Sequence, residues 1–411
     1  MRPQLPHETR AIVADSCDMV DKQMERFLKH LESQGYAPSG LAQYRLRLTD
    51  FCTQVKAHHV RVETLDENRA MELLSPVALP SKRTHCRFIV RSFLRFMIGQ
   101  GVVKLPPDNS PRACIRRDYE QYLRRQRGLG EGTIYHSWRL ADRFLTFRFG
   151  HEIGDLAGLT ANDIVSFMQK VREQVRESRD KTLSSHLRNF FRYLFTAGKT
   201  ATNLSLGIPR VAQRYAQRLP RHLTAEEIER VLEAVKAETT TGRRNHAMVL
   251  LLARLGLRAA EVVTIQIDDI DWRAGEILVR GKGKLHDRMP LPPDVGEALA
   301  EYIRLDRKTS SRALFVKKRP PHVAFKDGQV LNNILRRAFA KTGVKPPAPY
   351  VGSHILRHSL ATALVRRGAS LDEIGDMLRH RSRASTMIYA KLDVDGLRSI
   401  AQPWPAAGGA K

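Results

Sequence analysis

Through the first half of the chain apolar side chains recur at i, i+3 and i+4, the period of a helix that buries one face. Val90, Phe93, Leu94 and Met97 make one such stripe, and Leu187, Phe190, Phe191 and Leu194 make another. Stripes of this kind are core before they are anything else. The stretches around them also resemble each other. ESQGYAPSGLAQYRLRLTDF, ending at Phe51, aligns with RRQRGLGEGTIYHSWRLADRF, ending at Phe144, and VRSFLRFMIGQG from Val90 aligns with LRNFFRYLFTAG from Leu187. One short insertion reconciles both pairs, so the pattern predicts two tandem copies of a small helical bundle.

Two proline-bearing, turn-rich breaks divide the chain, KLPPDNSPRA from Lys104 to Ala113 and SLGIPRVAQRYAQRLPRH from Ser205 to His222. They predict helical modules over 1–106 and 112–206, a linker over 207–222, a further domain over 223–392 and a tail over 393–411. The further domain opens on LTAEEIERVLEAV, where Thr224 and Glu227 have the spacing of a capping box. HAMVLLLARLGLRAAEVVTI predicts a helix that is apolar nearly all round and therefore buried. The period then changes. Ile277 to Val279 and the run to Met289-Pro290-Leu291 predict two strands joined by a Gly-Lys-Gly-Lys turn. Helices resume with one begun by Ser353 and one ending near Arg379. The expected fold is mainly α with a small antiparallel β-sheet.

Charge adds a partner to this picture. Of 411 residues, 69 are Lys or Arg against 43 Asp or Glu, a formal net charge of +26, and the basic side chains are interspersed among apolar ones. With 42% hydrophobic residues the chain can fill more than one core, so the charge belongs to folded surfaces and double-stranded DNA is the expected partner. The candidate contacts flank the two aromatic stripes: Lys82, Arg83, Arg87 and Arg91 beside the first, Lys181, Ser184, His186 and Arg188 beside the second. Arg210, Arg214, Arg218 and Arg221 would let the linker cross a phosphate backbone. No apolar run approaches the roughly 20 residues that span a bilayer. MRPQLPHETR lacks the apolar core of a signal peptide, so no membrane partner is expected and the expected location is cytoplasmic, at the nucleoid of a prokaryote. Cys17, Cys52, Cys86 and Cys114 lie far apart without a C-x-x-C pair and read as buried free thiols.

The last domain holds the candidate chemistry. Arg258 and Glu261 in LGLRAAE fall three residues apart on one face of an apolar helix, either as a structural ion pair or as an arginine that a carboxylate aims at a phosphate. SHILRH brings His354, Arg357 and His358 within about one turn. Two histidines four apart could ligate zinc, but Ile355 stands where the H-E-x-x-H motif needs its general base, so neither a metal nor another cofactor is expected. A second arginine beside a histidine suits metal-free phosphoryl chemistry, in which guanidinium forks hold the equatorial oxygens and imidazole moves protons. Lys282 or Lys284, in the turn between the strands, could protonate a leaving oxygen.

Arg258 with Glu261, Lys282 in VRGKGKLHDRMPL, the SHILRH box, His380 in MLRHRS and Tyr389 nine residues later resemble, in order and spacing, the tyrosine recombinases or phage integrase family. The resemblance covers Leu223 to about Lys391 closely. Residues 112–206 look like that family's core-binding domain, and 1–106 resemble a second, arm-type copy of it. The resemblance implies a catalytic domain over 223–392 in which Tyr389 attacks a DNA phosphodiester, forms a 3'-phosphotyrosyl link and releases a 5'-hydroxyl. Arg258 and Arg357 would hold the nonbridging oxygens, Lys282 would be the general acid, His354 would assist proton transfer and His380 would hydrogen-bond the phosphate. Glu261 and His358 would support them. Integration, transposition or resolution would follow, by a homo-tetramer on paired recombination sites through a Holliday junction, alone or with related recombinases. The tail would dock on a neighbouring protomer. Relaxation of the type IB topoisomerase kind and a non-catalytic DNA-binding role are the competing expectations. The family pattern is broken twice. Arg379 replaces a usual glycine, which predicts an altered turn and an added phosphate contact, and Arg254 and Leu255 stand where small or hydroxyl residues are common.

Overall fold

The computed structural model describes residues 7–74, 83–104, 107–174, 180–209, 221–281, 286–347 and 352–392. Lys104–Tyr215 forms one compact unit, and Met1–Val103 together with Ala216–Lys411 forms the other. The sequence breaks predict three blocks instead. Each block does enclose an apolar cluster of its own, although the first and third count as one unit.

The first block is built of α1 (His7–Ser33), α2 (Pro38–Ala57), α3 (Glu67–Leu74) and α4 (Arg83–Gly99). Its buried cluster includes Phe27, Phe51, Phe93 and Met97. The second block is built of α5 (Pro111–Arg125), α6 (Glu131–Phe149), α7 (Ala161–Gln174) and α8 (Asp180–Thr196). Ser110 caps α5 by accepting the Ala113 N–H, and Pro111 follows it, where a fixed φ costs nothing. Aromatic rings fill the second core, with Phe144 edge-on to Phe191 at 5.0 Å between centroids. All eight residues of the two predicted stripes are buried, so both faces point inward as their period requires.

The last block begins with α9 (Ala225–Val235), and both halves of its capping box form: Thr224 accepts the Glu227 N–H and Glu227 accepts the Thr224 N–H. The long buried helix expected next is broken. Helix α10 (Thr240–Arg254) stops, Gly256 takes φ +59°, and the short α11 (Ala259–Thr264) restarts from Arg258 as its N-cap. A Cβ on Gly256 would stand 2.7 Å from a Leu378 methyl and 3.0 Å from a Leu360 methyl, so side-chain crowding as well as conformation favours glycine there. Arg258 therefore starts a helix and does not lie inside one.

Three antiparallel strands follow in the order β1 (Ile270–Asp271), β2 (Glu276–Arg280) and β3 (His286–Pro290). Ile277 faces Met289 and Val279 faces Asp287 across the β2–β3 ladder, and Ile277, Val279 and Met289 are buried. The turn with Lys282 and Lys284 lies outside the described residues. Helices α12 (Pro293–Leu305), α13 (Gln329–Thr342), α14 (His354–Arg366), α15 (Leu371–Met377) and α16 (Arg383–Thr386) complete the block, with a 3-10 turn over Met387–Leu392. Arg254 pairs with Glu229 and Asp294, so this unusual arginine ties the end of α10 to α9 and α12. A small apolar cluster of Ala361, Val365, Ile374, Leu378 and Tyr389 packs on the side of α14 that carries the site. Among the described residues no helix is long and apolar enough to cross a membrane.

Candidate active site

Helix α14 carries the middle of the site. Its entry is pinned where the Ser353 N–H donates to Asn332 Oδ1 of α13 at 2.8 Å, and its first turns then present His354, Arg357 and His358. Arg357 is 4% exposed and donates to two backbone carbonyls, those of Gly256 and Leu378. One carbonyl belongs to the turn before Arg258 and the other to the turn before His380. Burial and the charges of Arg258 and Arg379 pull the Arg357 pKa down to about 10, which leaves it cationic at neutral pH.

Arg258 is set by its own helix start. Its backbone N–H donates to Glu261 Oε2 at 2.8 Å and its Nη1 donates to Oε1 at 2.7 Å. The arginine side chain is 38% exposed and the carboxylate 5%, so the buried acid holds a cation that reaches solvent. Burial alone would raise the Glu261 pKa. The Arg258 N–H and the charges of Arg379 and Arg258 outweigh it and hold the carboxyl below its ordinary value.

Tyr389 is 1% exposed and shares a 2.7 Å hydrogen bond with His358 Nδ1. Burial pushes the phenol up to about 12, opposed by the Arg357 charge, while burial and the neighbouring His354 and Arg357 push His358 down to about 4. Both groups are neutral near pH 7, so the phenol donates and the imidazole accepts. His380 is pushed down to about 4 by burial and by Arg357 and Arg258, and its Nδ1 meets the Oγ1 of buried Thr386 at 2.8 Å. The surrounding protein, then Arg357 and Arg258, also lower His354, although its edge is open to solvent. The structure thus brings Arg258, His354, Arg357, His358, His380 and Tyr389 together, with Glu261 beneath them.

Arg379 departs from the sequence expectation. It has φ +54°, with its N–H bonded to Asp376 O and the His380 N–H bonded to Gly375 O. These two bonds are a Schellman motif, in which this position is normally glycine, so the turn is the usual one despite the arginine. The side chain is 8% exposed and donates to Glu261 Oε2 at 2.8 Å, which removes it from the open surface where an added phosphate contact was expected. Sequence spacing could not reveal this partner. The glycine-like position was the available signal.

The other predicted contacts fall in different places. Arg87 is exposed, and Arg91 is paired with Glu67 at 2.6 Å. Ser184 is 1% exposed and lies inside its bundle, because it shares the inward stripe with Leu183 and Leu187. His186 bonds Ser137 at 2.6 Å, Arg188 donates to the carbonyls of Ile208 and Pro209, and Arg221 donates to the Pro347 carbonyl. Lys82, Arg210, Arg214, Arg218, Lys282 and the tail lie outside the described residues, as do the side chains of Arg83 and Lys181. Cys52 and Cys86 are buried free thiols, whereas Cys114 is only half-buried.

Comparison with known proteins places this arrangement. The model of the phage integrase family matches residues 221–395. An inferred integrase/recombinase of Sinorhizobium fredii is 36% identical over 385 residues, covering 92% of this chain and 93% of that protein. The tyrosine recombinase XerD of Listeria monocytogenes is 31% identical over 291 residues, covering 69% of this chain and 95% of XerD. The fold is shared with the XerH site-specific recombinase, solved on a palindromic difH substrate after cleavage, at a TM-score of 0.53 and 18% identity over 73% of this chain and 99% of that one.

Proposed function

The chain belongs to the phage integrase family of tyrosine recombinases, and from that footing we propose that it cleaves and rejoins DNA strands at a specific site through a 3'-phosphotyrosyl intermediate. The observation that carries this reading is the hydrogen bond between Tyr389 and His358 beside the anchored Arg357. In the proposed reaction the Tyr389 Oη bonds to phosphorus as the P–O5' bond breaks. The phenol loses its proton along its hydrogen bond to His358, with His354 assisting the transfer, and the leaving 5'-oxygen gains one from Lys282.

Arg258 and Arg357 take the two nonbridging oxygens. Arg357 suits that role because two of its five N–H donors are fixed on carbonyls, which orients the rigid fork, and the rest have no partner among the described residues. In the tautomer whose Nδ1 accepts from the Thr386 hydroxyl, His380 keeps an Nε2–H for the phosphate. The phosphotyrosyl bond conserves the energy of the diester, so a 5'-hydroxyl from a partner duplex can attack it and join strands without a nucleotide.

The proposed organisation is a helical module over 1–106, a core-binding domain over 112–206, a DNA-crossing linker over 207–222, a catalytic domain over 223–392 and a docking tail over 393–411. The active species proposed is a homo-tetramer on two paired DNA sites, alone or with related recombinases. A pair of differently labelled duplexes carrying the cognate site tests the outcome. Exchange of label between the duplexes is expected. Relaxation of a supercoiled plasmid with no exchange would replace recombination by the topoisomerase reading.

A further inference from the structure

Glu261 serves two guanidiniums, not one. Arg258 approaches it from the start of α11, and Arg379 approaches Oε2 from the turn after α15, 118 residues away in sequence. The Arg379 turn itself does not call for an arginine. Its φ of +54° and its two Schellman bonds would be met by glycine without steric cost. The side chain is instead committed to contacts: Nη2 on Glu261, Nη1 on the Met289 sulfur, and Nε 4.0 Å from Asp287 Oδ2. Met289 and Asp287 both belong to β3, so one buried cation joins the turn before His380 to the strand and to the carboxylate that holds Arg258.

We propose that Arg379 is a positioning residue for strand cleavage, fixing Glu261 so that Arg258 points at the scissile phosphate, a role that rests on the recombinase reading of the site. A carboxylate gripped from two sides keeps one orientation. Without Arg379, the carboxylate of Glu261 keeps, among the described residues, only Arg258 of its own helix start. Arg258 and Glu261 can then swing as a pair, and the half-exposed member of that pair is the one that must meet the phosphate. Arg381, which also pairs with Asp287 at 2.9 Å, keeps β3 tied to the same segment without replacing the contact to Glu261.

The role is read on the duplex that the wild-type protein selects, as a covalent adduct, from a nicked DNA pool with a randomised core. Arg379→Gly should bind that duplex as tightly as wild type and remain folded at the assay temperature, yet form the adduct about tenfold more slowly, the order expected when a partner that orients a reacting group is lost. Arg379→Lys, which keeps a cation near Glu261, should recover part of the rate. In a Glu261→Gln background Arg379→Gly should add little further loss, because both changes act through one carboxylate. A wild-type rate in Arg379→Gly overturns the proposal, and so does an equal loss with and without Glu261. If Arg379→Gly does not fold, Arg379→Gln is judged by the same comparison. An adduct that survives Tyr389→Phe would instead overturn the recombinase reading beneath it.

Discussion

Tyr389 is stored in the free protein, not presented. With a pKa of about 12 only about one molecule in 10⁵ carries the phenolate at pH 7, a hundredfold less than for a free tyrosine. Spectrophotometric titration should therefore show that the phenolate step missing from Tyr389→Phe lies near pH 12; a step near 10 would contradict the burial. The two histidines beside it also link stability to pH. His358 and His380 both have pKa values near 4 when folded against an ordinary 6.5, so the unfolded chain binds more protons between those values. Their stabilising contribution is complete above about pH 6.5 and is lost as pH falls toward 4. The denaturation midpoint of His380→Gln should accordingly fall less steeply across that window than wild type. Much of this site was legible from residue types and spacing, because Arg258, Arg357, the histidines and Tyr389 sit in short local motifs. The contacts of Tyr389 with His358 and of Arg379 with Glu261 were not, since each joins residues that only the folded chain brings together.

At the scale of elements, the helices were readable because amphipathic period and burial agree, as the stripes of α4 and α8 show. The break at Gly256 was hidden inside an unbroken apolar run, where period carries no information about direction. The left-handed φ and the approach of Leu360 and Leu378, which favour glycine there, appear only in the folded chain. Gly256→Ala should cost about 1–3 kcal/mol in chemical denaturation, from the strained φ and the overpacked methyls. It should also slow cleavage, because the Gly256 carbonyl anchors Arg357. A variant as stable and as active as wild type would show that this turn is not what holds the two arginines together.

For the whole molecule, the net charge of +26 predicts DNA affinity that falls linearly in a plot of log affinity against log salt. Reversing Arg87 and Arg91 to Glu in the intact chain should shorten the nuclease footprint at its outer end if the first block contacts DNA; an unchanged footprint would remove that block from the interface. The helical character of the first two blocks was visible in their apolar stripes, but the grouping of the first block with the last was not, because contact between distant segments leaves no local pattern. The central claim is that these groups act on one phosphate through Tyr389. The most direct measurement is peptide mapping by mass spectrometry of the protein trapped on a nicked cognate duplex. The account predicts a nucleotide covalently attached at Tyr389 and no adduct in Tyr389→Phe; attachment at another residue, or an adduct that persists in the variant, would contradict it.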